Sequence, residues 1–221
     1  MASMHIPDFE EIASLASELG RDLDESSAKG LAVYIAELLK WNSKLNLVGA
    51  PDWKRILAEL VADSWHLADF MKELPIPDEP RCLDIGAGAG LPGIPLRLFN
   101  DTGEYVMVEP RQKRAAFLQN VLAKLRLPRT RVVNRRAEEL GEGMRDFDFV
   151  LGRAVMNWRD FVDLSAGFLA PGGICLVFAS EPLPEALPPG LTPGPVHEYR
   201  AADKKRYFWS FSPGTPANCS R

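Results

Sequence analysis

The feature that most constrains the fold is a glycine-rich loop that directly follows a short apolar strand. The segment 82–93 reads CLDIGAGAGLPG, and four of the eight residues from Gly86 to Gly93 are glycine. Glycine permits a tight turn and lets a ligand approach the backbone closely. Ordinary turns between a strand and a helix rarely need so many glycines. The loop therefore predicts an α/β fold that binds a nucleotide-like ligand at the end of its first strand.

The sequence changes character near Pro75, Pro77 and Pro80. Before these prolines, apolar residues recur at helical spacing, and Asp24 and Asp52 are placed to cap helices. After them, short apolar strands alternate with amphipathic helices, which is typical of a mostly parallel sheet covered on both faces. We therefore predict a helical N-terminal region over residues 1–78 and an α/β domain over 79–221.

Within the second region the pattern predicts individual elements. Prolines and glycines over 181–195 predict a loop, and Pro171-Gly172-Gly173 predicts a turn. The last two segments predict a closing antiparallel hairpin. The strands are expected at 81–85, 104–108, 131–134, 147–151, 174–178, 198–201 and 206–211, and the helices at 91–99, 112–125 and 158–169.

Two ligand classes fit the glycine loop. Residues 88–93 match the pattern GxGxxG of dinucleotide-binding proteins, a weak signal when taken alone. Residues 84–90 instead resemble the D-x-G-x-G-x-G loop of class I methyltransferases, which bind S-adenosylmethionine. Asp84 favours the second class, because a carboxylate would repel a pyrophosphate but attract the ammonium end of methionine. Glu109, at the end of the second strand, suits the ribose hydroxyls of either ligand.

A longer resemblance extends beyond the loop. The run LDIGAGAGLPGIPL resembles the signature of the glucose-inhibited division protein B family, the small-subunit ribosomal RNA guanine-N7 methyltransferases. Further matches follow in the same order over roughly residues 30–180, namely LKWNSKLNL (39–47), Asp63-Ser64, EPRQKRAAFL (109–118), RAEE (136–139) and Arg153-Ala154. The resemblance implies a class I, Rossmann-like methyltransferase domain that uses S-adenosylmethionine.

The resemblance also implies which residues bind the methyl donor. Gly86 and Leu91 would contact its methionine part, and Glu109 its ribose. Ala137 and Glu138 would line the adenine, and Arg153 would lie beside donor and substrate. The implied reaction methylates N7 of a guanine in 16S ribosomal RNA, which needs no general base because N7 carries no proton. We therefore assign no catalytic residue.

The sequence departs from the family at positions that would touch RNA. Glu59 and Leu60 replace an arginine and a histidine, and Phe178 stands where a lysine is usual. These changes leave open a methyltransferase with another substrate, or a non-catalytic RNA-binding or assembly factor that kept the fold. An NAD-dependent oxidoreductase is the other enzyme hypothesis, which Asp84 and the LPGIPL run disfavour.

Charge is distributed unevenly along the chain. The net charge is −4, yet residues 111–136 carry nine cations and no acid. The ordinary interpretation of such a run is a solvated helix face. Its proximity to the glycine loop favours a phosphate-binding patch for RNA, and Trp41, Trp158 or Trp209 could stack on an extruded base.

The cysteines, the histidines and the hydropathy of the chain exclude several classes of protein. Cys82, Cys175 and Cys219 are too far apart to suggest a disulfide framework or a zinc site, and the three histidines have no metal-ligand spacing. No apolar run is long enough for a membrane span, and the N-terminus lacks a signal sequence. We therefore expect a cytoplasmic monomer that has no metal and associates with ribosomal RNA or the small ribosomal subunit.

Overall fold

The computed structural model describes residues 5–50 and 52–213. Cys219 lies outside these residues. The N-terminal part is helical, as the sequence predicts. Asp8, Asp24 and Asp52 each accept a hydrogen bond from a backbone N–H in the first turn of the helix that follows, which satisfies an otherwise unpaired donor. The helices are α1 (Phe9–Glu18), α2 (Glu25–Leu45), α3 (Trp53–Arg55) and α4 (Ala62–Met71).

One irregularity in this region has no sequence signal. Helix α3 continues into α4 through a π-helical segment at Ile56–Val61. Apolar periodicity does not distinguish a π turn from an α turn over so few residues, and such turns are frequent at functional sites. The departures from the family at Glu59 and Leu60 lie in this segment.

The remaining residues form a sheet with helices on both faces. Its order is β3-β2-β1-β4-β5-β7-β6, in which β1 to β5 are parallel and β7 is antiparallel to both of its neighbours. The strands are β1 (Arg81–Ile85), β2 (Glu104–Val108), β3 (Thr130–Val133), β4 (Phe147–Gly152), β5 (Leu169–Ala179), β6 (Leu191–Ala201) and β7 (Lys204–Pro213). The helices are α5 (Gly93–Phe99), α6 (Gln112–Leu125) and α7 (Trp158–Ala166).

Three sequence expectations for this region were wrong. Strand β5 begins at Leu169, so it includes the expected turn at Pro171–Gly173, and α7 ends at Ala166 instead of 169. The pairing of β5 with β4 breaks register there, which accommodates the proline and glycines. Strand β6 begins inside the expected loop, because an edge strand tolerates Pro193 and Pro195.

The helical N-terminal region packs on one face of the sheet. The hydroxyl of Tyr34 in α2 donates a 2.9 Å hydrogen bond to the carbonyl of Ala89, and that of Ser27 donates one of 3.1 Å to the carbonyl of Leu98. Apolar side chains of α1, α2 and α4 share one continuous core with those of α5, α6 and the adjacent sheet face. A second core lies under α7 on the other face. The boundary after residue 78 stays a prediction.

Candidate methyl-donor site

The glycine loop is held against the end of β2. Gly86, Gly88 and Gly90 have φ angles of +73°, +56° and +79°, which favour glycine strongly. The N–H groups of Gly86 and Ala87 donate to the carbonyl of Val108 at 2.8 and 3.1 Å. These bonds fix the loop at the carboxyl edge of the parallel strands, where ligands bind in open α/β sheets.

Two cavities flank Gly86. The larger, of about 470 Å³, lies between the glycine loop and the helical region, and its walls include Gly86, Leu91 and Arg153. The smaller, of about 180 Å³, lies beyond the ends of β1 and β2, and its walls include Gly86, Ala137 and Glu138. The structure thus brings five of the seven predicted site residues to two adjoining cavities that share Gly86.

Glu109 is buried, and its carboxylate holds the glycine loop through a hydrogen bond. One carboxylate oxygen, Oε2, accepts a 2.9 Å hydrogen bond from the N–H of Gly88, and Oε1 accepts one of 2.8 Å from the N–H of Arg111. Sequence reasoning assigned Glu109 to a ribose and did not find this structural contact. Each oxygen keeps a further lone pair, so the ribose assignment stays a prediction.

Asp84 lies beneath the glycine loop, outside the walls of both cavities. Its side chain is 1% exposed, and Oδ2 accepts a 3.2 Å hydrogen bond from the hydroxyl of Tyr105. The other oxygen, Oδ1, has no hydrogen-bond partner in the described part of the chain. Burial raises the pKa of Asp84 to about 7, because removal from water disfavours the charged form.

Arg153 is held by a carboxylate of the helical region. Its Nη2 atom lies 2.9 Å from Oδ2 of Asp63, whose side chain is 2% exposed. The same carboxylate accepts bonds of 2.6 and 2.7 Å from Arg206 of β7 and of 2.9 Å from the hydroxyl of Tyr199. Sequence reasoning missed Arg206, because nothing local relates it to a carboxylate 143 residues earlier.

A third cavity, of about 380 Å³, opens at the ends of β4 and β5. Most of its lining residues are apolar in type, among them Trp158, Phe178 and Trp209, but polar atoms supply more than half of its exposed surface. Two of the three tryptophans considered for base stacking therefore line this cavity. Trp41 instead packs against Phe117, with 5.8 Å between ring centroids.

The three departures from the family signature lie on cavity walls. Glu59 and Leu60 line the larger cavity, and Glu59 forms a 2.7 Å ion pair with Arg55. Phe178 lines the third cavity. All three substitutions therefore occur at surfaces where a ligand would bind.

Eight of the nine cations of the basic block fall into two parts, and the ninth, Arg126, lies at the C-terminal end of α6. Lys124, Arg129 and Arg131 lie toward the amino edge of the sheet and form ion pairs with Glu37, Glu79 and Glu104. Five others follow the carboxyl ends of β2 and β3 and form no ion pair within residues 5–50 and 52–213, namely Arg111, Lys113, Arg114, Arg135 and Arg136. Only the second part faces the ligand edge, and the role of the block in binding RNA phosphates stays a prediction.

Two kinds of feature are absent from the described residues. None of their helices is both long and apolar enough to cross a membrane. They contain no cluster of three or more histidine, cysteine or acidic side chains arranged to bind a metal ion.

Comparison with known proteins assigns the chain to a family. A family model described as rRNA small subunit methyltransferase G matches residues 27–185. The protein of that name from Nitratidesulfovibrio vulgaris is 42% identical over 92% of this chain and 93% of its own length. The one from Oleidesulfovibrio alaskensis is 37% identical over 91% and 93%. A SAM-dependent methyltransferase from Aquifex aeolicus shares the fold, with a TM-score of 0.52 at 16% identity, over 76% of this chain and 97% of that one. The chain belongs to the rRNA small subunit methyltransferase G family.

Proposed function

We propose that the chain transfers a methyl group from S-adenosylmethionine to N7 of a guanine in small-subunit (16S) ribosomal RNA. The observation that carries this proposal is the pair of cavities that share Gly86 at the carboxyl edge of the sheet. One cavity suits the amino-acid end of the donor and the other its adenine. We also propose that the protein acts in the cytoplasm, as an enzyme with ribosomal RNA as its substrate would, and that it is a monomer.

The residues of the two cavities fit the donor chemically. Arg114 and Arg153 supply guanidinium groups for its carboxylate in the larger cavity. Glu138 supplies an acceptor for the amino group of adenine, and Ala137 lies beside it. Gly86 lies where the two cavities adjoin. A Cβ atom at this position would lie 2.8 Å from a methyl carbon of Val155. The backbone at Gly86 is therefore closely packed at the point where a donor that occupies both cavities would bend.

The chemistry needs positioning more than proton transfer. When bound, S-adenosylmethionine would supply an electrophilic methyl group. N7 of guanine would accept it with its lone pair as the S–C bond breaks and its electron pair stays on sulfur, so positive charge would pass to the purine without any proton transfer. Arg153 cannot serve as a base, so its role is to orient, and Asp63 holds it in place.

Methyl transfer from labelled S-adenosylmethionine to small ribosomal subunits lacking the modification tests this function. We expect incorporation into 16S ribosomal RNA, with the label recovered as 7-methylguanosine after digestion. A non-catalytic assembly factor would bind subunits without incorporation, and a methyltransferase with another substrate would bind the donor only. Calorimetric binding of NAD in preference to S-adenosylmethionine would favour the oxidoreductase alternative.

The glycine loop yields a prediction about donor affinity. Gly86→Ala should lower affinity for S-adenosylmethionine about tenfold, because a side chain at φ +73° is strained and its Cβ meets Val155. Gly141→Ala is the matched control, since its Cβ would meet nothing within 4 Å. Calorimetric titration of both folded variants measures the difference. Equal affinities would remove Gly86 from the site.

The five cations at the ligand edge yield a prediction about RNA. If they bind phosphates, Lys113→Gln combined with Arg135→Gln should flatten the dependence of log affinity on log salt by about one unit for each phosphate that is no longer bound. Arg126→Gln, in the same block at the C-terminal end of α6, should leave the slope unchanged. Filter binding of 16S ribosomal RNA at several salt concentrations measures the slopes. A slope unaltered in the double variant would place the RNA on another surface.

A further inference from the structure

From its walls and its neighbours, we infer that the third cavity, at the ends of β4 and β5, binds the target guanine and that Glu181 recognises its Watson–Crick edge. This inference rests on the proposed function, because it names the place where the substrate base docks. Three observations carry it.

The first observation is the shape and lining of the cavity. It measures about 380 Å³. Most of its lining residues are apolar in type, among them Met156, Phe178 and Pro184, while polar atoms supply more than half of its exposed surface. Met156 is 41% exposed, unusual for a large apolar side chain. A flat purine that leaves its stack in RNA can use both kinds of surface, since apolar side chains replace the lost stacking and polar atoms meet the edges of the base.

The second observation is its position beside the donor cavities. Ala154 lines both the third cavity and the larger donor cavity, and Val155 and Met156 line both the third cavity and the smaller one. The segment 154–156 thus forms the wall that the third cavity shares with the two donor cavities. Ala154 has a φ of +55°, a strained conformation for a residue with a Cβ, and such strain concentrates at functional sites.

The third observation is a carboxylate among the residues that line this cavity. Glu181 follows β5, is exposed, and is the acidic side chain among the described residues that line the cavity. Guanine presents two adjacent donors on its Watson–Crick edge, N1–H and N2–H, which match the two oxygens of a carboxylate. Adenine presents an acceptor at N1, so it cannot make this pair. A negative charge here also stabilises the cationic purine that methylation produces.

The direction of recognition fits the reaction. In guanine, N7 lies on the opposite side of the ring system from N1 and N2. A base whose Watson–Crick edge is held by Glu181 at the end of β5 turns N7 inward, toward β4 and the wall shared with the donor cavity.

The test compares two glutamates of one loop. The full chain, with S-adenosylhomocysteine present, is titrated with guanosine 5′-monophosphate and with adenosine 5′-monophosphate while tryptophan fluorescence is followed. Glu181→Gln is compared with Glu185→Gln, since Glu185 is also exposed but does not line the cavity. We expect the wild type to bind the guanine nucleotide more tightly. Glu181→Gln should lose this affinity about tenfold or more, as for a hydrogen bond to a charged group, and Glu185→Gln should not.

Two results overturn the inference. One is a wild type that binds both nucleotides equally or neither of them, and the other is a Glu181→Gln variant that binds as Glu185→Gln does. Both variants should keep wild-type affinity for S-adenosylmethionine, which shows that the fold and the donor site are intact. Methyl transfer to small subunits is measured in parallel. Transfer by the wild type without guanine selectivity defeats this inference alone, and guanine selectivity without transfer defeats the proposed function alone.

Discussion

Replacing Asp63 with asparagine should lower the free energy of unfolding by about 3 kcal/mol, as when one partner is removed from a buried ionic network. The carboxylate of Asp63 is 2% exposed and compensates the guanidinium groups of Arg153 and Arg206. An amide of the same shape cannot compensate either charge. Denaturation in urea measures the loss, and calorimetry should show weaker donor binding, because Arg153 loses the group that positions it.

Asp69→Asn is the matched control for this variant. Asp69 lies on the same helix, α4, and pairs with Arg21 and Lys72, but its side chain is 42% exposed. Exposed ion pairs contribute about 1 kcal/mol or less. If the two variants lost equal stability, the network around Asp63 would have no special role.

Replacing Asp84 with asparagine should make the protein less sensitive to pH. Burial raises the pKa of Asp84 from 3.8 to about 7. Between these values the folded state binds a proton that the unfolded state has lost, so stability falls as pH rises through this window. The decline contributed by this one group is about 1.4 kcal/mol per pH unit. Asparagine does not titrate, so the variant lacks this contribution.

The comparison is made by urea denaturation of both proteins at several pH values from 4 to 8. Relative to Asp84→Asn, the wild type should lose stability up to about pH 7 and then level off, because both of its states are ionised above that pH. A difference between the two proteins that stayed constant with pH would contradict the raised pKa.

The sequence predicts elements well where local patterns are strong. The bounds of β1, β2 and α6 agree with prediction, because each has uninterrupted periodicity between clear breakers. The errors at β5 and β6 have a tertiary cause. Proline and glycine locally oppose a strand, but neighbouring strands and an edge position accommodate them.

In the candidate site, too, features encoded locally are predicted from the sequence and contacts between distant segments are not. The glycine loop predicts where Gly86 and Leu91 lie, because its backbone geometry is encoded locally. It does not predict that Glu109 holds Gly88 or that Asp63 links Arg153 to Arg206, because these contacts join distant segments. Which of the nine cations are paired also depends on acids elsewhere in the chain, such as Glu37 and Glu79.

The order of strands has a consequence for how the chain is made. Strand β7 is synthesised after β6 but inserts between β5 and β6, so β6 cannot join the sheet until β7 has left the ribosome. Arg206 lies in β7, 143 residues after Asp63. Until β7 has been synthesised, the carboxylate of Asp63 therefore lacks its second cation. A polypeptide stalled before Lys204 would leave the edge of β5 open, and such edges promote aggregation. Synthesis through β7 is therefore needed both to cover the edge of β5 and to complete the arginine network around Asp63.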